Sequence, residues 1–456
     1  MCTNSQCVGR PADHLLCGRV ERKSDKKTVV PPYHTIVPAY SSFFQPPFSM
    51  PPLRIGIVGG GTVGGGVWEL LHQNAAVSIQ KIVVRSLRPR DYAAPSDLFT
   101  TQMSDVLSNP DIDCVVEVMG GTDTAKDVVL QALKAGKAVV TANKALLAEH
   151  LTTVANAQVA ANRPLMYEAA VCGGIPIINI LQTAYTGDKI QSIEGILNGT
   201  TNYMLSKMDQ EGADYAAVLK EAQDLRYAEA DPTADVEGHD ARAKVALLAK
   251  LAFGITVEDV TTIPCQGISQ ITTTDFAYAK ASQSTIKLVG TATQASPSSV
   301  AIYVAPVMLP LTHTLAGIHG AGNAVTVTSQ NMGPCLYTGP GAGRYPTANS
   351  VVADILRVAA QPTYAPVAFA KPSTATLETN YTAKFYLRAS GTAALPSAET
   401  IANWAQECGV PTPQVLDGAT VQGSVAFSID SCTKNQMDAL VAKFPSECSV
   451  LAMPKI

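Results

Sequence analysis

Between Tyr227 and Lys244 the chain reads YAEADPTADVEGHDARAK. Glu229, Asp231, Asp235, Glu237 and Asp240 fall in a turn-rich segment, and a helical pattern then carries Lys244 one turn after Asp240. Residues four apart share a helix face, so the Asp240 carboxylate can stand beside the Lys244 ammonium and hold it toward a bound molecule. The chemistry this suggests is a substrate site: carboxylates for an amino group and a lysine for a proton. Taken alone, the same residues also suit a solvated helix cap and a surface ion pair. What the rest of the chain places beside them decides between the two.

Leu53 to Val58 (LRIGIV) predicts a buried parallel strand running into GGGTVGGGVWELLHQN. Gly59, Gly61 and Gly64 meet the GxGxxG spacing, and Val67, Leu70 and Leu71 follow at helical intervals. The first glycine permits the tight turn, the second lets backbone approach a pyrophosphate, and the third lets helix pack on strand. The helix N-terminus then faces the phosphate charge. Ile79 to Val84 predicts a second strand ending at Arg85, with Arg88 and Arg90 just beyond. Proteins selecting NAD usually hold the ribose hydroxyls with an acid near this strand end, and none stands here. A guanidinium suits a 2′-phosphate, which favours NADP(H) and leaves NAD(H) open.

A third strand, Cys114 to Met119, ends at Gly120-Gly121-Thr122, and a helix from Thr124 to Ala135 stops at Gly136. The fourth strand, Ala138 to Thr141, delivers Asn143 and Lys144. Ligands bind outside the carboxyl ends of parallel strands, so Gly120, Gly121, Thr122, Asn143 and Lys144 are assigned to the nicotinamide end. Leu165 to Ala170 predicts a further strand leading to Val171-Cys-Gly-Gly-Ile-Pro176. Glycines before a proline release backbone carbonyls, and with Glu168 nearby they offer hard oxygen ligands for a cation.

The segments IVGGGTVGGGV, VVEVMGG, TANKALLA, Glu168 to Pro176, GILNGTTNYML, YAEADPTADVEGHDARAK and GPGAGRYPTANSVVADI occur in that order over most of residues 52 to 360. Together they resemble the homoserine dehydrogenase family. The resemblance implies reversible, NAD(P)-dependent interconversion of L-homoserine and L-aspartate 4-semialdehyde, in the route to threonine and methionine. It implies Lys244 as general acid/base and Lys144 as the second lysine of the site. Glu229, Asp235, Asp240, Thr200 and Tyr227 are implied as contacts of the amino acid. Thr62, Val63 and Gly343 match cofactor positions. Glu168, Val171, Gly173 and Ile175 match a monovalent-cation site, usually sodium, the last three ligating through carbonyls. One departure is Arg226, where the family commonly has Gly before YAEADP. If that glycine allows close approach to the cofactor, a guanidinium there would alter cofactor affinity. Two other functions stand beside this one. One is a different NAD(P)-linked amino-acid dehydrogenase, which would not need the Glu229 to Lys244 constellation. The other is a non-catalytic cofactor-binding sensor, which would not need both lysines.

In aldehyde reduction a nearby ammonium stabilises developing alkoxide and gives up its proton. Burial and a second lysine would lower the pKa of Lys244, while Asp240 would raise it, and the spacing alone does not fix the balance. Oxidation of homoserine, which needs the neutral amine, should be favoured by alkaline pH.

The fold class expected is α/β: a Rossmann-like nucleotide-binding domain, an α+β catalytic and dimerisation domain, and a small C-terminal ACT-like α+β module. The nucleotide domain spans 51–180 and is joined by a returning helix near 345–365. The catalytic domain spans 181–344, and the family implies a homodimer or homotetramer through it. Residues 370–456 run strand, helix, strands, helix, strand, which resembles an ACT module. Its usual acidic and glycine signature is replaced by Gly391-Thr-Ala-Ala-Leu-Pro396. That leaves a structural or dimerising role beside threonine binding.

Composition agrees with a packed, multidomain chain: 456 residues, 46% hydrophobic and 15% charged, with a formal net charge of −4. That charge gives no footprint for nucleic acid or an anionic membrane, and no apolar run reaches the roughly 18 residues of a membrane span. The partner expected is a small-molecule substrate. Ten cysteines without CxxC pairs argue for reduced thiols and a cytoplasmic location. Residues 1–50 are basic and proline-interrupted, and are read as a disordered or dispensable arm. A transit peptide or translation from Met50 are the other readings of it.

Overall fold

The computed structural model describes residues 51–361, 373–391, 395–416 and 421–456. The N-terminal arm, the last residues expected of the returning helix, the start of the C-terminal module and Thr392 to Ala394 lie outside the described residues.

One sheet is parallel throughout. Its strands are β1 (Leu53–Val58), β2 (Val77–Val83), β3 (Phe99–Thr100), β4 (Cys114–Glu117), β5 (Ala138–Thr141) and β6 (Leu165–Met166), in the order β3-β2-β1-β4-β5-β6. The central strands are covered on both faces, as continuous apolar runs such as AVVT and CVVE require. Strand β3 is two residues long, too short for any periodicity to announce it. Strand β6 stops at Met166, four residues short of the expected end. The Glu168 N–H donates to Asp354 Oδ2 at 2.8 Å, and the chain turns through a 3-10 segment over Glu168–Ala170. Helices α1 (Thr62–Leu71), α2 (Ser104–Leu107), α3 (Asp123–Lys134), α4 (Lys144–Ala161) and α5 (Ile177–Thr183) belong to this half.

The second sheet is mixed. It contains β7 (Ile190–Ile196), β8 (Ser284–Ser296), β9 (Ser299–Pro310), β10 (Gly322–Ser329), β11 (Gly333–Pro340), β12 (Thr376–Glu378), β13 (Thr382–Ser390), β14 (Gln414–Val415), β15 (Ser424–Thr433) and β16 (Ser449–Lys455). The order is β11-β10-β7-β8-β9-β16-β13-β15-β14, with β12 on β9. Helices α6 (Gly199–Glu211), α7 (Tyr215–Asp224), α8 (Thr233–Val236), α9 (His239–Phe253) and α10 (Thr273–Ala281) lie between β7 and β8 in the chain, and α6, α9 and α10 pack on this sheet.

Helix α11 (Arg344–Ala360) returns to the first half and packs on α1. Three consecutive glycines in α1 lower its helix propensity, yet the packing needs them. A Cβ on Gly66 would stand 2.8 Å from the Ala348 Cβ, and one on Gly64 would stand 1.9 Å from the Gly59 carbonyl oxygen. Arg344 closes the seam by pairing with Glu69 at 3.1 Å and Asp91 at 2.6 Å.

The C-terminal segment runs β13, α12 (Ala398–Glu407), β14, β15, α13 (Lys434–Val441), β16, the succession expected from the sequence. Its sheet continues that of the catalytic half through β16 and β9. A buried ion pair joins the two: Arg388 Nε donates to Asp275 Oδ1 at 2.7 Å, and the Tyr386 hydroxyl donates to the same oxygen at 2.9 Å.

Candidate active site

Helix α9 opens at His239, so Asp240 and Lys244 lie one turn apart on one face, both buried. Lys244 Nζ donates to Asp240 Oδ2 at 2.7 Å and to the Leu197 carbonyl at 2.6 Å. Lys144, at the start of α4, reaches the other oxygen, Asp240 Oδ1, from the nucleotide half. One carboxylate therefore holds two ammonium groups, one from each half of the molecule.

Burial works against the charge on Asp240, but the two lysines outweigh it and hold the carboxyl well below its usual range. Burial likewise pushes Lys244 down, and the Asp240 charge overrides it, so the net shift of Lys244 is upward. The balance left open by the sequence thus falls on the side of a protonated lysine at neutral pH.

Asn198 completes the array. It caps α6 by accepting the Thr201 N–H at 2.9 Å, while its Nδ2 donates to Asp235 Oδ1 at 2.7 Å and to Asp240 Oδ2 at 2.9 Å. Asp235 is half-buried, and burial raises its pKa, with the Asn198 hydrogen bond opposing. Thr200 donates through Oγ1 to the Tyr227 carbonyl at 2.7 Å, tying the α6 entry to the loop after α7. Glu229 is exposed, and its carboxylate enters no ion pair among the described residues. Both Asp240 oxygens are engaged, Oδ1 by Lys144 and Oδ2 by Lys244 and Asn198, so the carboxylate ties the array together. Asn198 and the Leu197 carbonyl were not among the sequence-derived site residues. An Asn-Gly ahead of a helical pattern is an N-cap signal, but nothing local showed that its amide would face two carboxylates.

At the cofactor end, Gly59 has φ 116°, where a Cβ would stand 2.5 Å from the Val118 carbonyl oxygen. Gly61 caps α1 without a side chain, nothing stands within 4 Å of where its Cβ would be, and no acid lies in the first turn. Unpaired N–H groups of Thr62, Val63 and Gly64 at an acid-free helix start suit a pyrophosphate, so the cradle fits a dinucleotide. Gly120 and Gly121 have φ of 77° and 75° and are exposed. The Asn143 amide donates to the Gly121 carbonyl at 2.7 Å. Buried Glu117 braces both strand ends, accepting from Thr141 Oγ1 at 2.6 Å and from the Met119 N–H at 2.9 Å. Gly343, with φ 119°, caps α11. Arg85 is exposed at the end of β2, whereas Arg90 turns inward and donates to the Gly60 carbonyl at 3.3 Å.

Arg226 has φ 62°. Its N–H donates to the Gln223 carbonyl at 3.0 Å and the Tyr227 N–H donates to the Ala222 carbonyl at 2.8 Å, which together close α7 in a Schellman motif. The position favours glycine because the cap is left-handed; no approach to a cofactor is needed to explain it.

In the Val171 to Ile175 turn, Cys172 and Gly173 both have positive φ, 55° and 45°. The Gly173 carbonyl accepts from Ser350 Oγ at 2.6 Å, and the Ile175 carbonyl from the Ile177 N–H at 2.8 Å. The Glu168 carboxylate caps α5, accepting from the Ile178 and Asn179 N–H groups at 2.9 and 2.8 Å.

A parallel sheet with a glycine-loop cradle, facing a buried lysine and carboxylate array from a mixed-sheet half, defines a nicotinamide-dependent oxidoreductase. The model of the homoserine dehydrogenase NAD-binding domain matches residues 59–168, and that of homoserine dehydrogenase matches 176–356. The chain is 42% identical to homoserine dehydrogenase of Bacillus subtilis over 319 residues, covering 68% of this chain and 73% of that protein. It is 44% identical to that of Corynebacterium glutamicum over 321 residues, covering 67% and 71%. The solved homoserine dehydrogenase of Thiobacillus denitrificans superposes with a TM-score of 0.79 at 33% identity, covering 89% of this chain and 98% of that one. The chain belongs to the homoserine dehydrogenase family. It acts as an NAD(P)-dependent oxidoreductase on the CH–OH group of homoserine.

Proposed function

We propose that Lys244 is the general acid/base of homoserine and aspartate-semialdehyde interconversion. The observation that carries this is the shared carboxylate: Asp240 orients Lys244 Nζ at 2.7 Å and also holds Lys144. The nicotinamide, when bound, supplies or accepts the hydride. In aldehyde reduction Lys244 gives an Nζ proton to the substrate oxygen as negative charge develops on it, and Lys144 adds a second positive charge. In homoserine oxidation neutral Lys244 takes the hydroxyl proton. Asp235 and Glu229, at the half-buried and exposed side of the same loop, receive the substrate amino group, beside Thr200 and Tyr227. Turnover in both directions with Lys244→Met tests the role. Loss of kcat is expected, and a variant that keeps kcat while only KM rises would make Lys244 a binding residue.

NADP(H) is the preferred dinucleotide in this reading, supported by exposed Arg85 at the end of β2. Arg85→Ala should raise KM for NADP more than for NAD; equal changes would remove the assignment. The turn carbonyls of Val171, Gly173 and Ile175 are hard oxygen donors suited to sodium, with Glu168 fixing the turn through its helix cap. Replacing sodium by choline should then lower Tm, and an unchanged Tm counts against the cation. The open edge strand β11, with Leu336 exposed, supports pairing of a second copy in a homodimer or homotetramer. A sedimentation mass of one chain would remove it. The seven described cysteines are all free thiols, which supports a reducing, cytoplasmic location. No described helix is long and apolar enough to cross a membrane.

A further inference from the structure

Asn323 is the second residue of β10 and is wholly buried, at 0% exposure. Neither its Oδ1 nor its Nδ2 makes a hydrogen bond among the described residues. The amide bears on the Cys172 thiol, whose pKa burial raises and Asn323 partly lowers, but a thiol is a weak partner. A buried amide with nothing stronger than a thiol beside it destabilises the fold that carries it, and such groups concentrate where function requires them.

Its position is informative. Ala324 pairs with Ile196 across the antiparallel ladder, so the next step sets Asn323 beside Leu197, whose carbonyl holds Lys244 Nζ. On its other side Asn323 pairs with Gly339 of β11. A Cβ on Gly341 would stand 2.1 Å from Cγ, 2.2 Å from Nδ2 and 2.3 Å from Oδ1 of Asn323. Near-equal distances mean that the amide lies flat on the Gly341 α-carbon. A Cβ on Gly199 would stand 3.6 Å from the same Oδ1. The amide therefore separates the Leu197 to Thr200 wall of the substrate site from the Gly341 to Gly343 loop that leads into α11.

We propose that Asn323 is a positioning residue for the dinucleotide side of the site: it couples the Gly341 to Gly343 loop to the Leu197 to Thr200 wall, and its amide edge pairs with the backbone of that loop when the dinucleotide is held. This rests on the oxidoreductase reading above. Glycine at 341 lets the loop lie on the amide face, and a small shift along that face brings loop N–H or C=O groups to the amide edge. The substrate carboxylates and Lys244 are not altered by this coupling, so its signature lies in dinucleotide binding.

The test uses the full chain with Asn323→Leu, which keeps the shape and removes both polar atoms, and Asn323→Ser, which keeps a polar atom that cannot span the gap. Binding of NADPH and of NADH is titrated by fluorescence without turnover, beside Tm, homoserine KM and hydrogen exchange at the amides of 341–343. Expected is a Kd for the preferred dinucleotide raised about 5-fold or more in both variants, from loss of one or two hydrogen bonds. Homoserine KM should stay within about 2-fold, and Tm of Asn323→Leu should equal or exceed that of wild type, since removing an unpaired buried amide relieves a cost. Dinucleotide should slow exchange at 341–343 in wild type and not in the variants. Wild-type affinity in both variants, or a lower Tm with unchanged exchange protection, would overturn the proposal. A wild-type chain that binds neither dinucleotide would count against the oxidoreductase reading itself.

Discussion

Lys244 does not stand free above the substrate site: its ammonium is clamped 2.7 Å from Asp240, and although burial pushes its pKa down, the Asp240 charge overrides burial and leaves the lysine with a raised pKa. The same carboxylate holds Lys144 across the junction of the two halves. Replacing Lys244 by Met should therefore lower kcat by about 10²- to 10⁴-fold, the usual worth of a positioned proton donor. Dinucleotide affinity, measured by titration, should change little.

Asp240 sets the pH dependence. With its pKa raised, Lys244 is protonated at neutral pH, so semialdehyde reduction should be flat there and homoserine oxidation should climb with pH beyond the ordinary lysine value of about 10.4. Asp240→Asn removes the charge that overrides burial, and the alkaline limb of oxidation should move to lower pH as total rate falls. The stability signs follow the same shifts. The Lys244 contribution is complete below its unfolded value and lost as pH rises through the raised folded one. The Asp240 contribution is present above the unfolded carboxylate value and lost as pH falls through the depressed one. An alkaline limb that stays in place in Asp240→Asn would break this account.

Asn198 has two separable duties. Asn198→Ala loses the cap on α6, costing about 1 kcal/mol, and the donor to Asp235 and Asp240. Asn198→Ser keeps a capping oxygen but cannot reach the carboxylates. Tm near wild type with low kcat/KM is expected for the serine variant, and low values of both for alanine. Full activity in the serine variant would reduce Asn198 to a cap.

Arg226 occupies a left-handed helix cap that glycine fills without strain. Arg226→Gly should stabilise the chain by about 1 kcal/mol, the cost of that conformation for an L-residue less the entropy regained on unfolding. Thermal melts would show it, with dinucleotide Kd unchanged. A change in Kd without a gain in Tm would return the residue to the cofactor.

The C-terminal module is fastened by Arg388 and Asp275, side chains 4% and 0% exposed. Arg388→Ala strands a buried carboxylate and should cost about 3 kcal/mol or more. Denaturant melts should detect it even where activity at low temperature survives. A loss below about 1 kcal/mol, the level of a surface pair, would mean that the module is held by its apolar contacts.

The sequence by itself determined the alternation of strand and helix, the glycine cradle and the pairing of Asp240 with Lys244, because each depends on residues a few positions apart. Chain periodicity places such neighbours on one face whatever the rest of the fold does. It also exposed Arg226 as out of place, though the reason lay in a backbone angle that no residue type records. Tertiary structure alone decided that Lys144 would meet Asp240, that Leu197 would lend its carbonyl to Lys244, and that Asn198 would face two carboxylates. It also turned Glu168 into a helix cap and buried Asn323 with nothing stronger than a thiol beside its amide. These contacts join separate elements, such as α4 to α9 or the end of β7 to α8 and α9, so they exist only once the elements are packed against one another. The sign of the Lys244 shift follows from the same cause: burial and charge oppose each other there, and only the assembled geometry sets which is larger.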